Sequence, residues 1–181
     1  MFSEKTKKRA PKTPTKVRLK NIALYYLKRF ETSKDNLRTV LKRRVDRYAL
    51  FEKEFDKTMA YSFIDEIIEE FSEKNFVNDE RFSEFKITSY LRSGKSKRYI
   101  EQKLKQKGIS EQTTAQIFEK IEYNELDVAL SFARKKKIGP YRESEEKRLK
   151  YKQKDLATLI RAGFDFDVAK DVLDHTIENI T

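Results

Sequence analysis

The sequence predicts an all-α fold of three tandem three-helix repeats in an elongated, curved arrangement. Apolar residues recur at helical spacings of three and four along most of the chain, and no alternating run of useful length predicts a strand. The ending L-x-x-x-G-I-S at residues 104–110 returns as L-x-x-x-G-F-D at residues 159–165. Because one short helix pair cannot bury its apolar face alone, such a recurrence indicates repeats packed in series.

The first predicted repeat covers residues 17–76 and follows a basic arm. Residues 1–16 combine many like charges with two prolines, so we expect a flexible segment there. Helical periodicity that starts near Val17 and runs to Phe30 predicts a first helix. Residues 32–35, Thr-Ser-Lys-Asp, supply the start of the second helix, because a hydroxyl there can accept a hydrogen bond from an unpaired backbone N–H and an acid three residues later can return the bond. The stripe of residues 61–71 predicts the third.

The second predicted repeat covers residues 77–123. Asn78 and Asp79 are good helix-capping residues, and Ser96 and Ser110 begin the next two helices. The apolar residues expected inside are Phe82, Phe85, Leu91, Ile100, Leu104, Ala115, Ile117, Phe118 and Ile121.

The third predicted repeat covers residues 124–181. The pair at residues 139–140, Gly-Pro, breaks its first helix, and Asp165 or Asp167 caps its last. The residues expected to form its apolar stripes are Leu126, Ala129, Leu130, Ala133, Leu149, Leu156, Leu159, Ile160, Val168, Ala169, Val172, Leu173 and Ile177.

Charge and composition limit the classes of function. The 181 residues include 41 Lys and Arg against 30 Asp and Glu, a formal charge of +11. This balance favours acidic or polyanionic partners, although a highly solvated surface explains it equally well. The absence of cysteine excludes disulfides and thiolate sites. Because no apolar run approaches the roughly 20 residues of a membrane span and no secretory signal is evident, we expect a cytoplasmic protein without membrane contact.

The most basic helix, within residues 92–107, is the main candidate for binding. Ile100 and Leu104 keep the four-residue spacing of a buried face, which sends Arg98 and Lys105 to the opposite side. For any single lysine, a solvated surface remains the commoner explanation. The residues predicted to bind a partner or nucleic acid are Arg92, Lys95, Lys97, Arg98, Lys103, Lys105, Arg134, Lys135, Lys136 and Lys137.

Enzymatic readings find little support. Residues 94–96, Gly-Lys-Ser, match the end of a phosphate-binding loop, but no strand precedes them and the first glycine of that motif would fall at Ser89. Five acids within residues 65–73 fit a solvated helix face. The only histidine, His175, has no evident catalytic partner. We therefore expect no catalytic residue, metal or cofactor.

Four segments resemble the RecX family, the regulators of the RecA recombinase. Residues 23–45 (A-L-Y-Y-L-K-R-F-E-T-S-K-D-N-L-R-T-V-L-K-R-R-V) are similar to its opening repeat, and residues 76–83 (F-V-N-D-E-R-F-S) to its apolar pair, acidic cap and Arg-Phe. Residues 98–110 (R-Y-I-E-Q-K-L-K-Q-K-G-I-S) resemble its most recognisable segment, and residues 155–164 (D-L-A-T-L-I-R-A-G-F) its last repeat. The resemblance runs over residues 21–173.

The resemblance implies a non-enzymatic regulator in recombination, DNA repair and the SOS response. Family members bind RecA and its filament on single-stranded DNA, lie in the filament groove, and restrain filament growth, ATP hydrolysis and strand exchange. We expect a monomer that binds RecA and that could also contact DNA directly. The family's common residues are chiefly core and turn positions, here Leu27, Leu37, Leu41, Asp79, Phe82, Ile100, Leu104, Gly108, Leu159, Gly163 and Phe164.

The first repeat departs from the family pattern. Arg44 and Val45 stand where the other repeats have a glycine turn, and residues 48–57 are expected to lengthen the loop. The alternative function is a general helical nucleic-acid-binding module that acts without RecA. The effect of the protein on the ATPase of RecA distinguishes the two hypotheses.

Overall fold

The all-α prediction is confirmed in a computed structural model that describes residues 10–175. These residues form nine α-helices and a short 3-10 turn at Gly139–Tyr141, with no strand. In chain order the helices are α1 (Lys16–Leu27), α2 (Lys34–Phe51), α3 (Lys57–Glu73), α4 (Asp79–Arg92), α5 (Lys97–Lys105), α6 (Glu111–Lys120), α7 (Glu125–Lys136), α8 (Glu145–Arg161) and α9 (Phe166–Asp174).

Serine hydroxyls cap α2, α5 and α6, at Ser96 and Ser110 as predicted and at Ser33 within the start predicted at residues 32–35. Ser33, Ser96 and Ser110 each accept a hydrogen bond from the amide three residues further on, at 3.2, 3.2 and 3.0 Å. Each bond satisfies one of the amides that a helix leaves unpaired at its start. The starts of α2, α5 and α6 therefore follow from local sequence.

The chain divides after Asp79 into two compact units. The first unit packs α1, α2 and α3 around one apolar core, whose largest buried side chains include Phe71, Leu37, Leu41 and Ile64. The second unit has a single core to which α4 through α9 all contribute. The second and third predicted repeats thus share a core, while the predicted boundaries at residues 76–77 and 123–124 stay predictions.

The first unit differs from the predicted loop over residues 48–57. α2 continues through Arg44 and Val45 to Phe51, and Asp56 caps α3 by accepting a 2.8 Å bond from the Thr58 amide. Without a glycine to end it, α2 reaches 18 residues, whereas α5 has 9. The lengthening therefore lies mainly in the helix.

Some apolar residues predicted to be buried are exposed. Phe30 follows the end of α1 and stacks beside Tyr26, with ring centroids 5.1 Å apart. Phe85 is exposed because α4 buries the face of Ser83 and Ile87. The residues Ala115, Leu149 and Ile160 are also exposed. Ile177 lies outside the described residues.

The predicted basic arm lies partly outside the described residues. Its described part, residues 10–15, has no helix or strand, and Pro14 is buried. The Thr13 hydroxyl donates a 3.2 Å hydrogen bond to the Tyr48 hydroxyl of α2. Residues 13–14 are therefore packed against the first unit, and the flexible arm over residues 1–16 stays a prediction.

Candidate partner-binding surface

The N-terminus of α5 is held by a contact with the α8–α9 turn. The Ser96 hydroxyl, which caps α5, donates a 2.7 Å hydrogen bond to the Ala162 carbonyl. Gly163, at φ +94°, follows directly, and a Cβ there would lie 2.6 Å from the Ser96 Oγ. Ile100 and Leu104 are buried as predicted, so α5 has one fixed orientation within its unit.

The outward face of α5 carries both signs of charge. Arg98 and Lys105 are exposed and line a cavity of about 400 Å³ that also has Glu101 and Glu111 in its wall. The Lys105 Nζ lies 2.8 Å from Glu111 Oε1, which raises the pKa of Lys105 and lowers the pKa of Glu111. Part of the positive charge that the sequence shows here is thus balanced by α6.

Two of the predicted lysines lie against one aromatic ring. The ammonium groups of Lys95 and Lys103 lie 4.9 and 5.5 Å from the centroid of Tyr99. Tyr99 is half-buried and meets Tyr90 edge-on at 5.8 Å. Tyr99 thus packs against Tyr90, and cation–π attraction holds both lysines beside its ring.

Lys97 lies near the carboxylate of Glu125. Its ammonium lies 5.3 Å from the Phe118 ring centroid. Burial raises the pKa of the Glu125 carboxyl, as do the nearby charges of Asp165 and Glu101, while Lys97 acts in the opposite direction. Lys97 therefore partly offsets these acids, and its predicted part in binding stays a prediction.

The last turn of α7 presents the other predicted cations. Arg134, Lys135 and Lys136 are exposed, and Lys137 ends the helix in a left-handed conformation at φ 54°. Cations at this end of a helix also interact favourably with its dipole, which is a purely structural explanation for them. Arg92 is likewise exposed in the last turn of α4.

The turn between α4 and α5 lies against α7, so the cations near this turn and those of α7 belong to neighbouring elements. A Cβ at Gly94, which has φ +75°, would lie 2.9 Å from the backbone nitrogen of Phe132 in α7. The turn that carries Lys95 therefore packs directly on the helix that carries Arg134. Nothing in the structure tests whether these cations bind a partner, so the surface stays a prediction.

A second basic surface, which the sequence analysis did not select, lies in the first unit. Two adjoining cavities of about 340 and 450 Å³ share three lining residues and form what we call the N-terminal groove. Its lining includes Lys12, Arg18, Ile22, Tyr25, Arg44 and Arg47. These residues come from three segments, and only the packing of α1, α2 and residues 11–15 brings them to one surface.

The weaker enzymatic readings find no geometry to support them. The Gly94–Ser96 segment is a turn between helices, and the acids of α3 form ion pairs: Asp65 with Arg38, Glu66 with Lys16. Within residues 10–175 no group of acids and histidine is placed to hold a metal. No helix in that part of the chain is long and apolar enough to cross a membrane.

The fold and its surfaces define an all-α protein built from three-helix motifs, with cationic faces. The model of the family domain described as RecX, second three-helix domain, matches residues 78–116. The chain is 39% identical over 176 residues to regulatory protein RecX of Myxococcus xanthus strain DK1622, covering 94% of each. It therefore belongs to the RecX family.

Other comparisons agree. Regulatory protein RecX of Acinetobacter baylyi is 31% identical over 178 residues, which cover 98% of each chain. A solved structure, described as the crystal structure of regulatory protein RecX, matches with a TM-score of 0.63 at 20% identity, over 88% of this chain and 72% of that chain. At that identity the match shows the fold alone.

Proposed function

We propose that this protein binds the RecA recombinase and its filament on single-stranded DNA in the cytoplasm. It modulates, and mostly restrains, filament growth, ATP hydrolysis and strand exchange. The observation that carries the proposal is similarity over nearly the whole chain to relatives named regulatory protein RecX. The protein acts by binding as a monomer and needs no cofactor.

The outward face of α5 supplies the first surface to test. α5 is fixed by the Ser96–Ala162 hydrogen bond and by the burial of Ile100 and Leu104. Its outward residues, Arg98 and Lys105, are thus presented from a rigid element. Binding from a rigid element loses less conformational entropy than binding from a loop. We include Arg92, Lys95 and the cations of residues 134–137 in the same proposed surface.

The test of the function is the ATPase activity of RecA on single-stranded DNA with substoichiometric amounts of this protein. We expect a lower rate and shorter filaments. An unchanged rate in the presence of DNA binding would instead support the alternative, a nucleic-acid-binding module independent of RecA. The net charge of +11 is the observation that favours this alternative.

Substitution of Arg98, Lys103 and Lys105 together by Ala tests the surface. We expect weaker inhibition of RecA and unchanged helical circular dichroism, because all three lie outside the buried stripe. The matched control replaces Lys147, Lys150 and Lys154, exposed on α8, by Ala. Equal inhibition by both variants would rule out this choice of surface.

A further inference from the structure

We infer that the N-terminal groove, formed by Lys12, Arg18, Ile22, Tyr25, Arg44 and Arg47, binds single-stranded nucleic acid directly. The inference extends the proposed function. It rests on that function for the identity of the natural ligand, which is the single DNA strand. It assigns the strand to the first unit, whereas α5 and α7 in the second unit carry the surface proposed for RecA.

The cations of α1 divide between two sides of the helix. Lys16 forms an ion pair with Glu66 of α3, and the Lys20 Nζ lies 2.7 Å from both carboxylate oxygens of Glu70. Arg18, between them, lines the groove instead. The acids of α3 thus neutralise one side of α1 and leave Arg18 on the other.

α2 shows the same division. On the side of α3, Arg38 lies 3.0 Å from Asp65, and Asp46 accepts a hydrogen bond from Tyr61. Arg44 and Arg47 line the groove with Arg18. Among residues 10–175, no ion pair engages these three arginines, and no acidic side chain lines either cavity.

This charge distribution separates the groove from α5. On α5 the cavity that contains Arg98 and Lys105 has two acids in its wall, and Lys105 is already paired with Glu111. The charged residues that line the groove are all cations, so a polyanion gains attraction there without displacing an internal acid. Arginine also matches phosphate geometry through two parallel hydrogen bonds.

An exposed aromatic ring at the groove favours a single strand over a duplex. Tyr25 is 65% exposed, and the Arg29 guanidinium lies 5.7 Å from its ring centroid and donates a 3.2 Å bond to its hydroxyl. Unpaired bases stack on such rings, with cation–π support from arginine, while a duplex keeps its bases stacked internally. The ring and the arginines together form the two parts of a single-strand site.

One wall of the groove is a segment of the chain that packs against α2. Pro14 is buried and the Thr13 hydroxyl is hydrogen-bonded to Tyr48 of α2, so the segment that carries Lys12 is held beside Arg44 and Arg47. Ile22 provides an apolar floor between them. A backbone tracking along the groove would thus meet cations from two helices and from the extended segment.

The test measures binding of a fluorescein-labelled oligothymidylate of about 20 nucleotides by anisotropy, without RecA. The first variant replaces Arg18, Arg44 and Arg47 by Gln. We expect affinity to fall roughly tenfold or more at low salt. The plot of log affinity against log salt should become less steep by about 2, since each of the three lost phosphate contacts removes about 0.7 from the magnitude of its slope.

The matched control replaces Lys147, Lys150 and Lys154 of α8 by Gln, which removes the same charge elsewhere. We expect no more than about a twofold change, because distant exposed charges are largely screened at physiological salt. Equal weakening in the control and the groove variant would overturn the inference, as would unchanged affinity in a groove variant with native circular dichroism.

A second pair of variants tests the stacking part. Tyr25→Ala should weaken binding by about fivefold or more, since a stacked base contributes roughly 1–3 kcal/mol, whereas Tyr25→Phe should retain most of the affinity. Loss in Tyr25→Phe equal to that in Tyr25→Ala would overturn stacking. Equal affinity of the wild type for a duplex of the same length would overturn the preference for a single strand.

The two proposals fail separately. If the groove variant loses oligothymidylate binding but the wild type leaves the RecA ATPase unchanged, the inference stands and the proposed function fails. If the wild type inhibits RecA and the groove variant binds oligothymidylate normally, only the inference fails. If the groove instead binds an acidic protein surface, the wild type inhibits RecA and the groove variant binds oligothymidylate normally.

Discussion

The Ser96 hydroxyl donates a 2.7 Å hydrogen bond to the carbonyl oxygen of Ala162, 66 residues further along the chain. The same oxygen atom of Ser96 accepts a bond from the Tyr99 amide and caps α5. One buried serine therefore starts the basic helix and connects it to the α8–α9 turn.

Ser96→Ala should lower the free energy of unfolding by about 2 kcal/mol, since a helix cap contributes about 1 and the lost bond to Ala162 about 1 more. Chemical denaturation measures the change. Ser110→Ala is the control, because Ser110 is exposed and its hydroxyl caps α6. It should cost about 1 kcal/mol. Equal losses would mean that the Ser96–Ala162 bond contributes nothing.

Gly163→Ala should destabilise the second unit by more than about 2 kcal/mol. The left-handed backbone costs about 1 kcal/mol for alanine, and the new Cβ would approach the Ser96 Oγ to 2.6 Å. Gly108→Ala, at an exposed position with φ +75°, measures the backbone cost alone. Thermal unfolding compares the two variants, and a smaller loss for Gly163 than for Gly108 would contradict the predicted clash.

Asp155→Ala should cost about 3 kcal/mol, because it breaks a buried ion pair and leaves its partner uncompensated. Asp155 is 1% exposed, accepts two bonds from Arg142 at 2.6 and 2.7 Å, and accepts a third at 2.9 Å from the Gly139 amide. The hydrogen bonds between Arg142 and Asp155 raise the pKa of the Arg142 guanidinium.

Denaturation of Asp155→Ala is best compared with Glu143→Ala, which removes an exposed carboxylate paired with Lys147. That control should change stability by no more than about 0.5 kcal/mol. Similar values for the two variants would show that the Asp155 bonds do not hold the turn at Gly139.

The first unit should lose stability in acid. Hydrogen bonds from Lys20 and Lys74 lower the pKa of Glu70 to about 2. A depressed carboxyl pKa stabilises the folded state above the unfolded pKa of about 4.3, and this stabilisation is lost as the pH falls towards the folded pKa. The unfolding free energy should therefore decline between about pH 4.5 and about pH 2.

The substitution Glu70→Gln should flatten that decline in equilibrium unfolding measured over the same pH window. Glu69→Gln, at an exposed position on the same helix, is the control and should leave the decline as in the wild type. An identical pH dependence in all three proteins would exclude Glu70 as its source.

Helix positions were predictable because their causes are local. The caps at Ser33, Ser96 and Ser110 act on amides three residues away, and the spacing of Ile100 and Leu104 defines one buried face. The same periodicity does not say how far a core extends, which is why Phe85 was wrongly expected inside.

The charge of the candidate surfaces was less predictable. The sequence shows the cations of α5 but not that Lys105 meets Glu111 across a turn or that Lys95 and Lys103 share the Tyr99 ring. Arg18 and Arg44 are far apart in sequence and become neighbours only through the packing of α1 and α2.

The sequence by itself determined the all-α class, the starts of α2, α5 and α6, the RecX resemblance and the outward placement of Arg98, since these depend on spacing and short-range hydrogen bonds. The tertiary structure alone decided that the second and third predicted repeats share one core, and which cations remain unpaired. Ion pairing depends on which helices are neighbours. Long-range contacts, such as the hydrogen bond between Ser96 and Ala162, determine which helices pack together.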